Sequence, residues 1–435
     1  DPQSLCAKWA RSGEAVSLIR EEESSPFRAG RSQEDGSQRV PFRTDERSLI
    51  TLLSPVLVEQ GLLPAPVPLY DPASGSPPPI PAISNPATGE TIPLKSQHKE
   101  VSTNFGEVFA LEAFIDGTVD VTETWSVTAG LRGTYEDVTG AYEVEDSETP
   151  GSLGAFFEAA PNNLFPSTNG ERLSESETFT SMVGRLATRY QPLPEANLFA
   201  SVSRGRRPNV IEVDETGATI LDDEIVWSYE TGVKGLLLDD RAQYDVSGFY
   251  YDYSDFQTTI IEETGQPRTV DVGKASALGF EVLGRFALTA GVEIFSNYAF
   301  IDAEFDDEDS DGNPQQFAGN TFRLTPDHTF SAGLNADIPA GPLGTAFIRP
   351  TVTWQSEVFF NAENTDDVRG DGYTLVDVRA GVQLPGGNLE LTGAVENVFD
   401  TEYIIDAGNT GRLFGTPTYI AGQPRTFRLT LSAGL

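Results

Sequence analysis

The feature that most constrains this chain is the alternation of apolar and polar residues from residue 100 onward. In the segment 124–135 the odd positions include Trp125, Leu131 and Tyr135, whereas the even positions carry mainly threonine, serine and arginine. Successive side chains of a β-strand point to opposite faces, so this alternation predicts a strand with one apolar and one polar face. The same pattern recurs in 227–237, 242–250 and 425–433, and no apolar stripe with helical spacing follows residue 100. The sequence therefore predicts an all-β chain.

About thirteen strands are predicted, and their connections alternate between short and long. The predicted strands are 103–116, 124–137, 177–190, 197–206, 224–237, 241–259, 273–286, 289–304, 322–338, 345–360, 371–384, 388–403 and 423–435. The short links are 117–123, 191–196, 238–240, 287–288, 339–344 and 385–387. The long polar links are 138–176, 207–223, 260–272, 305–321, 361–370 and 404–422.

This sorting of the links has a physical cause in an up-and-down barrel. Every second turn of such a barrel lies on the same side of the membrane, with short turns at the periplasm and long loops outside. A soluble sandwich with Greek-key connections has no reason to sort its links in this way. The predicted strands also reach the ~9–11 residues that a tilted strand needs to cross a bilayer. We therefore predict a transmembrane antiparallel up-and-down β-barrel in a bacterial outer membrane.

Composition excludes several classes of function. The chain has 66 Asp and Glu residues against 29 Lys and Arg, and a nucleic-acid partner would need the opposite balance. The acidic excess suits either simple solubility or a lumen that handles cations. One cysteine, Cys6, excludes a disulfide framework, and two histidines, His98 and His328, exclude a His-rich metal site. No motif of a serine hydrolase, zinc protease, redox pair or P-loop occurs, so neither catalytic residues nor a cofactor are predicted.

The first part of the chain differs from the rest. Residues 1–48 are polar and charged, and 64–93 is dense in Pro, Ser and Ala. The stretch 49–63 fits either a short helix or a strand. We predict an irregular Pro/Ser-rich segment over 1–96, interpreted as an extracellular loop, with a disordered arm as the alternative. Residues 97–435 then form the barrel portion.

Three arginines at the outer end of a predicted strand are candidate contacts with a ligand or with the lumen. Arg204, Arg206 and Arg207 could bind an anionic ligand or a lipopolysaccharide phosphate, because the guanidinium fork matches such groups. We favour the other interpretation, a structural role in which they pair with lumenal acids such as Glu230.

An acidic run resembles half of a calcium-binding loop. Asp307, Asp309, Asp311 and Gly312 match the first part of the EF-hand pattern. The position that needs a bidentate Glu is Ala318, and no flanking helices are predicted. We interpret the run as a solvated acidic loop, with a metal site as the weaker alternative.

Several segments of the predicted barrel are similar to one known family. These are LFASVSRGRRPNV (198–210), the strand pair at 227–257, ALGFEVLGRF (277–286), NYAFIDAEF (297–305), LTPDHTFSAGL (324–334), LELTGAVENVFDTEYI (389–404) and GQPRTFRLTLSAGL (422–435). In this order and spacing they resemble TonB-dependent receptors over about 100–435. The resemblance implies a barrel of 22 strands with an N-terminal plug, of which this chain would hold about the last thirteen.

The resemblance also implies what the chain lacks and what it departs from. An odd number of strands cannot close a bacterial barrel of this type, so we expect a fragment without plug and TonB box that is not transport-competent alone. An unpaired last strand would be an aggregation hazard. The family usually ends in an aromatic residue, whereas this chain ends in Leu435.

The function implied by the resemblance is energy-coupled uptake of a scarce ligand across the outer membrane. A ferric siderophore is the first candidate, with cobalamin, other metal complexes and oligosaccharides as alternatives. Expected partners are outer-membrane lipid and lipopolysaccharide, the ligand, and TonB–ExbB–ExbD acting through the missing N-terminal region. A passive channel or porin is the main rival function, and an outer-membrane enzyme is a third.

Overall fold

The computed structural model describes residues 37–44, 81–84, 91–94, 98–145, 168, 170–214, 216–261, 267–408 and 419–434. Cys6 and the segment 49–63, for which a helix or a strand was considered, lie outside these ranges. Within these ranges the regular structure is β except for two short 3-10 turns, Gly341–Leu343 and Asp366–Val368. Within the described ranges no helix is long and apolar enough to cross a membrane.

Twenty-four strands are numbered in chain order. They are β1 (Ser37–Thr44), β2 (Ala82–Ser84), β3 (Thr91–Pro93), β4 (His98–Thr122), β5 (Trp125–Glu145), β6 (Leu173–Leu193), β7 (Ala196–Arg207), β8 (Val210–Asp214), β9 (Gly217–Leu221), β10 (Glu224–Leu237), β11 (Ala242–Ser254), β12 (Gln257–Ile261), β13 (Pro267–Asp271), β14 (Ala275–Thr289), β15 (Val292–Phe305), β16 (His328–Pro339), β17 (Thr345–Gln355), β18 (Val358–Phe359), β19 (Arg369–Gly370), β20 (Tyr373–Gln383), β21 (Leu389–Glu396), β22 (Ile404–Ala407), β23 (Tyr419–Ala421) and β24 (Thr426–Ala433).

Fourteen of these strands form one sheet in sequence order. The order is β1-β4-β5-β6-β7-β10-β11-β14-β15-β16-β17-β20-β21-β24. The thirteen predicted strands are confirmed as β4 through β24 of this order. The additional strand, β1, pairs antiparallel with β4 and lies in the segment predicted to be irregular. Its sequence, SQRVPFRT, has no clear period of two, which is why the pattern missed it.

The predicted alternation of short and long connections is confirmed. The long connections after β7, β11, β17 and β21 each contain a two-stranded sheet: β8-β9, β12-β13, β18-β19 and β22-β23. The sequence signal did not predict these small sheets, because two to five residues are too few for a period of two to be recognised.

The chain divides into two compact units. The first comprises 1–115, 131–182 and 209–220, and the second comprises 116–130, 183–208 and 221–435. In the first unit, Val101 and Val144 are among the buried residues. Gly140 lies against Ile211, whose carbonyl oxygen would be 2.7 Å from an added Cβ. Glycine is therefore required there by close backbone approach.

The strands of the second unit have a continuous apolar face. Directly paired residues of antiparallel strands point to the same side of a sheet, so the registers trace rows across it. One such row is Tyr190, Leu198, Val233, Val246, Val282, Tyr298, Phe330 and Trp354. Along β10 the same face runs from Trp227 to Leu237. At ~3.3 Å per residue and a barrel-like tilt, this distance corresponds to an apolar band about 25 Å tall.

The opposite, polar face carries charges together with regularly placed phenylalanines. Four of these rings lie over a glycine that is directly paired on the next strand. The pairs are Phe199 with Gly232, Phe249 with Gly279, Phe295 with Gly333, and Phe347 with Gly381. A Cβ added at any of these glycines would lie within 2.4–2.7 Å of the ring. Each of these four rings therefore fits on the polar face only because the paired residue on the next strand is glycine.

Candidate functional site

Three long loops of the second unit share one hydrophobic cluster. The loops are 255–274, 306–327 and 356–372, and together they are called the loop platform. The cluster contains the buried residues Val272, Ala275, Phe305, Phe317 and Ala362, with Tyr253, Phe256, Ile260, Val270 and Phe322 packed against them. Loops normally lie on the surface without a core. Shared burial gives these three a fixed arrangement instead.

Phe305 lies at the centre of this cluster. Its ring centroid is 5.5 Å from that of Phe256, 5.2 Å from Phe322 and 5.8 Å from Phe317. These distances lie within the range of favourable aromatic pairs, each contributing roughly 0.5–1.5 kcal/mol beyond burial. Because Phe305 ends β15, it connects the sheet directly to the platform.

Side-chain amides join the loops of the platform by hydrogen bonds to backbone. Gln315 accepts from the backbone N–H of Lys274 at 2.5 Å and donates to the carbonyl of the same residue at 2.9 Å. Asn364 accepts from the N–H of Thr321 at 2.7 Å and donates to its carbonyl at 3.0 Å. Each amide thus replaces a backbone partner in another loop, as a strand would.

Arg207 belongs to a polar network at the base of the platform. Its guanidinium donates to the carbonyl of Gln257 at 2.8 Å and lies 3.9 Å from the Glu224 carboxylate. The backbone N–H of Gln257 donates to Glu224 at 2.9 Å, and its side-chain amide donates to the Asp222 carbonyl at 2.7 Å. Gln257 is buried. The network therefore fixes the start of β12 against the ends of β7 and β10.

An aromatic ladder leads along the polar face of β11 to the platform. It consists of Phe249, Tyr251 and Tyr253, which alternate with residues on the other face. Phe249 and Tyr251 are stacked with centroids 5.0 Å apart, and Tyr253 meets Phe256 edge-on at 5.3 Å. The directly paired residues on β14 are small: Gly279, Ala277 and Ala275. Small neighbours give the rings room to lean over β14.

A second, smaller cluster extends the ordered region. Val358, Phe360, Val368 and Ala407 are buried together, with Ile404 packed against them. This cluster joins the loop 356–372 to β22. The Tyr419 hydroxyl of β23 also donates to the Asp367 carbonyl at 2.8 Å. The strands β22 and β23 of the last long connection are thereby held to the platform.

The structure separates the predicted arginine group. Arg204 pairs with Trp227 and therefore lies on the apolar face, as does Arg206, two residues further along β7. Glu230 pairs with Ser201 and Phe249 on the polar face. Arg204 and Arg206 therefore face away from Glu230, and the acid beside Arg207 is Glu224. The three arginines looked equivalent because they are close together in the sequence, although the alternation of faces along β7 already separates Arg204 and Arg206 from Arg207.

The acidic run around Asp309 forms hydrogen bonds within its own loop. No group of three or more His, Cys, Asp or Glu side chains in the described part of the chain is arranged to hold a metal ion, so Asp307, Asp309 and Asp311 do not converge. The Asp309 carboxylate instead accepts from the backbone N–H groups of Asn313 and Asp311, both at 2.9 Å. These bonds, with the Asn313 side-chain amide, lower the pKa of Asp309 below its ordinary value.

Two other carboxyl groups of the loops have raised pKa values. Burial raises the pKa of Asp255, and the charge of Asp271 adds to the effect. Burial likewise raises the pKa of Asp327, with Asp302 contributing and His328 partly opposing. Both groups lie between strands, where the surrounding acids disfavour ionisation.

An aromatic belt lies on the apolar face at the outer end of the strands. His328 contacts Tyr298, Phe300 and Trp354, and the Tyr298 hydroxyl lies 2.8 Å from its Nδ1 atom. Such rings are typical of a membrane interface. Sequence reasoning missed this belt, because its members are far apart in the chain. The registers of β15, β16 and β17 bring them together.

Comparison with known proteins extends these observations. A family model described as TonB dependent receptor-like, beta-barrel, matches residues 66–398. The metal-pseudopaline receptor CntO of Pseudomonas aeruginosa is 26% identical over 331 residues, covering 76% of this chain and 41% of that protein. The ferrichrome outer membrane transporter/phage receptor of Escherichia coli K12 is 29% identical over 206 residues, covering 46% of this chain and 26% of that protein.

Solved structures share the fold. The ferric yersiniabactin uptake receptor FyuA of Yersinia pestis has a TM-score of 0.64 at 18% identity, covering 81% of this chain and 48% of that one. The siderophore receptor PiuA of Acinetobacter baumannii has a TM-score of 0.56 at 14% identity, covering 79% and 46%. The chain thus spans less than half the length of these proteins.

Proposed function

The chain belongs to the TonB-dependent receptor-like β-barrel family of the outer membrane, and on that basis we propose that it is part of a receptor for energy-coupled uptake. The ligand class proposed first is a ferric siderophore or a similar metal chelate. The match of the family model over residues 66–398 carries the proposal. The apolar face then contacts lipid and the polar face lines the lumen.

The names of the relatives support the choice of ligand class. The proteins compared above are named for metal-pseudopaline, ferrichrome and ferric yersiniabactin, all of them metal complexes. Energy coupling through TonB–ExbB–ExbD, and contact with lipopolysaccharide, are part of the same proposal. Binding and transport, rather than catalysis, are the activities proposed.

The loop platform supports the proposal by its position and its order. It lies at the long-loop ends of the strands, which is the extracellular side in this family of barrels. Functional residues on loops are most effective when a rigid scaffold positions them. The shared cluster around Phe305 and the amide bonds of Gln315 and Asn364 supply that rigidity. The ladder beginning at Tyr253 then leads from the platform along the lumenal face.

Uptake of radiolabelled chelates by whole cells tests the proposed function. Cells with the full-length gene, without it, and with the gene after collapse of the proton-motive force receive hydroxamate, catecholate and carboxylate ferric chelates, cobalamin and a maltodextrin. We expect cells with the gene to take up one class of ferric chelate. That uptake should fall to background in cells without the gene and in cells whose proton-motive force has been collapsed. Uptake that survives collapse of the force would indicate a passive channel, and dependence limited to cobalamin or maltodextrin would refute the ligand class.

Neighbouring tyrosines on opposite faces give a matched test of the binding surface. Tyr251 lies on the lumenal face, whereas Tyr250 pairs with Tyr229 on the apolar face. We expect Tyr251→Ala in the full-length receptor to weaken binding of the transported chelate about tenfold, or ~1.4 kcal/mol. Tyr250→Ala should leave the affinity unchanged. Equal effects of the two changes on binding would contradict a lumenal site at the ladder.

A further inference from the structure

A groove crosses the apolar face near the short-turn ends of the strands. Its volume is about 650 Å³ and its lining is mainly apolar, with Gln243 and Arg285 of the row on the opposite face also bordering it. Small residues of one paired row, Gly284, Ser296 and Ala332, form its floor. The next row supplies large side chains along one edge, namely Phe286, Ile294 and Leu334. Its size lies within the roughly 300–1,000 Å³ that ligand pockets commonly have.

The position of the groove determines what can occupy it. The apolar face of this family contacts lipid, and the short turns mark the periplasmic side. A groove in that face borders hydrocarbon, so neither water nor a polar solute is a favourable occupant. Leaving it empty would forfeit the dispersion contacts of its lining. An acyl chain of the periplasmic leaflet is the occupant that fits both constraints.

A guanidinium lies at the periplasmic end of the groove. The Arg241 guanidinium carbon is 5.5 Å from the centroid of Phe286, a lining residue. Its Nε and Nη2 atoms donate to the Ala287 carbonyl at 3.2 and 3.1 Å, and Nη2 also donates to the Leu288 carbonyl at 3.0 Å. Across the described ranges, Arg241 forms no ion pair with an acidic side chain. Its guanidinium is therefore held in place by carbonyl groups, and Asp239 and Asp240, which precede it in the same turn, are not within ion-pair distance of it.

We propose that Arg241 and the groove together bind one glycerophospholipid of the periplasmic leaflet. The lipid phosphodiester contacts the guanidinium, and one acyl chain passes over Phe286 onto the floor formed by Ser296 and Ala332. Arginine is suited to this role because it binds phosphate by charge-assisted hydrogen bonds while its carbon stem packs on apolar surface. Basic groups beside apolar membrane surface are a recognised arrangement for lipid head groups. The site is independent of the ligand transported.

Native mass spectrometry of the full-length receptor tests the proposal with defined lipids. The protein is extracted from outer membranes in mild detergent and titrated with dioleoyl phosphatidylglycerol, dioleoyl phosphatidylethanolamine or dioleoylglycerol, which lacks the phosphate. We expect one tightly retained phospholipid, and about tenfold weaker binding of dioleoylglycerol. Equal retention of all three would overturn the assignment of the phosphate to Arg241.

Three variants separate the two halves of the site. Ala332→Phe fills the floor and should abolish retention of the phospholipid. Ala380→Phe, on the same face but outside the groove, is the matched control and should retain it. Arg241→Gln should weaken binding of both phospholipids about tenfold and leave dioleoylglycerol unaffected. Retention by Ala332→Phe at the level of the control, or an unchanged phospholipid affinity in Arg241→Gln, would refute the proposal. Heat-modifiable gel mobility establishes that each variant is folded.

Discussion

The two ends of the strands in the second unit are held in different ways. At the short-turn end the chain reverses within a few residues, and Leu238, Asp239 and Asp240 all adopt left-handed conformations with φ of 58°, 55° and 66°. At the long-loop end the connections bury a shared cluster around Phe305 and exchange amide hydrogen bonds. Local geometry therefore determines one end, and contacts between distant segments determine the other. Ligand recognition is expected at the end that long-range contacts can shape.

The largest effect is expected from removing the centre of the platform. Phe305 is 2% exposed, and Phe305→Ala should cost about 3–5 kcal/mol by loss of burial and creation of a cavity. Limited proteolysis should then cut loops 255–274 and 306–327 rapidly, while heat-modifiable gel mobility of the sheet persists. Leu238→Ala at the opposite end, where the residue is 64% exposed, is the control and should cost less than about 0.5 kcal/mol. If these loops stayed protease-resistant in Phe305→Ala, the shared cluster would not be what holds the long-loop end together.

A smaller effect is expected from breaking one amide contact between loops. Asn364 makes three hydrogen bonds to Thr321 and has a φ of 50°. Asn364→Ala loses these three bonds and leaves alanine in a left-handed conformation that asparagine tolerates better, with an expected cost of about 2–3 kcal/mol. Asn364→Gly loses the bonds but tolerates the conformation, so its cost should be about 1–2 kcal/mol. Hydrogen exchange at the Thr321 backbone amide measures the effect of each variant. Equal protection in the wild type and in Asn364→Gly would exclude a role for the Asn364 side-chain amide.

A stabilising change is expected at the short-turn end. Asp240 has the largest φ of the three left-handed residues, 66°. Asp240→Gly removes the steric cost of that conformation, and after the entropic cost of glycine a net gain of about 0.5–1 kcal/mol is expected. Urea unfolding of the receptor in lipid vesicles measures the gain. A loss of stability would mean that the Asp240 side chain, and not the backbone, determines this turn.

The smallest effect is a pH dependence confined to the platform. The pKa of Asp255 is raised by burial and by Asp271, so the folded platform favours the protonated form. Its contribution to stability is present below the ordinary Asp pKa of about 3.9 and is lost as pH rises through the raised value. Asp255→Asn should therefore slow proteolysis of loop 255–274 at neutral pH and have no effect at about pH 3, below the unfolded pKa. An equal benefit at both pH values would show that the charge is not the cause.

The strands and the sorting of their links were predictable because both depend on local sequence. Alternation of side chains identifies a strand wherever it lies, and turn length follows from a few residues. The same alternation distinguishes Tyr250 from Tyr251, although the two are adjacent in the sequence. Tyr250 lies on the lipid face, whereas Tyr251 is part of the lumenal ladder. Applying the period of two to each strand end would have found this separation.

The candidate site was much less accessible to sequence reasoning. Arg207 was recognised, but its partners Glu224 and Gln257 were not, because they come from other strands. The acidic run around Asp309 was interpreted as a solvated loop, with a metal site as the weaker alternative, and the turn that its carboxylate closes with Asn313 was not predicted. No local signal indicates that Gln315 reaches Lys274, forty-one residues away in sequence.

By itself the sequence determined that this chain forms antiparallel hairpins with one apolar face, and that long loops collect at one end of them. The apolar face follows from a pattern that repeats every two residues, and the loop lengths can be counted between the strands, so both can be read from the sequence alone. Only the tertiary structure decided which loops share a core, which acid meets Arg207, and which side chains leave a groove open to lipid. Each of these depends on the register between strands and on contacts between distant segments. Because hydrophobic packing is non-directional, the local sequence pattern does not indicate which distant segment an apolar residue will contact.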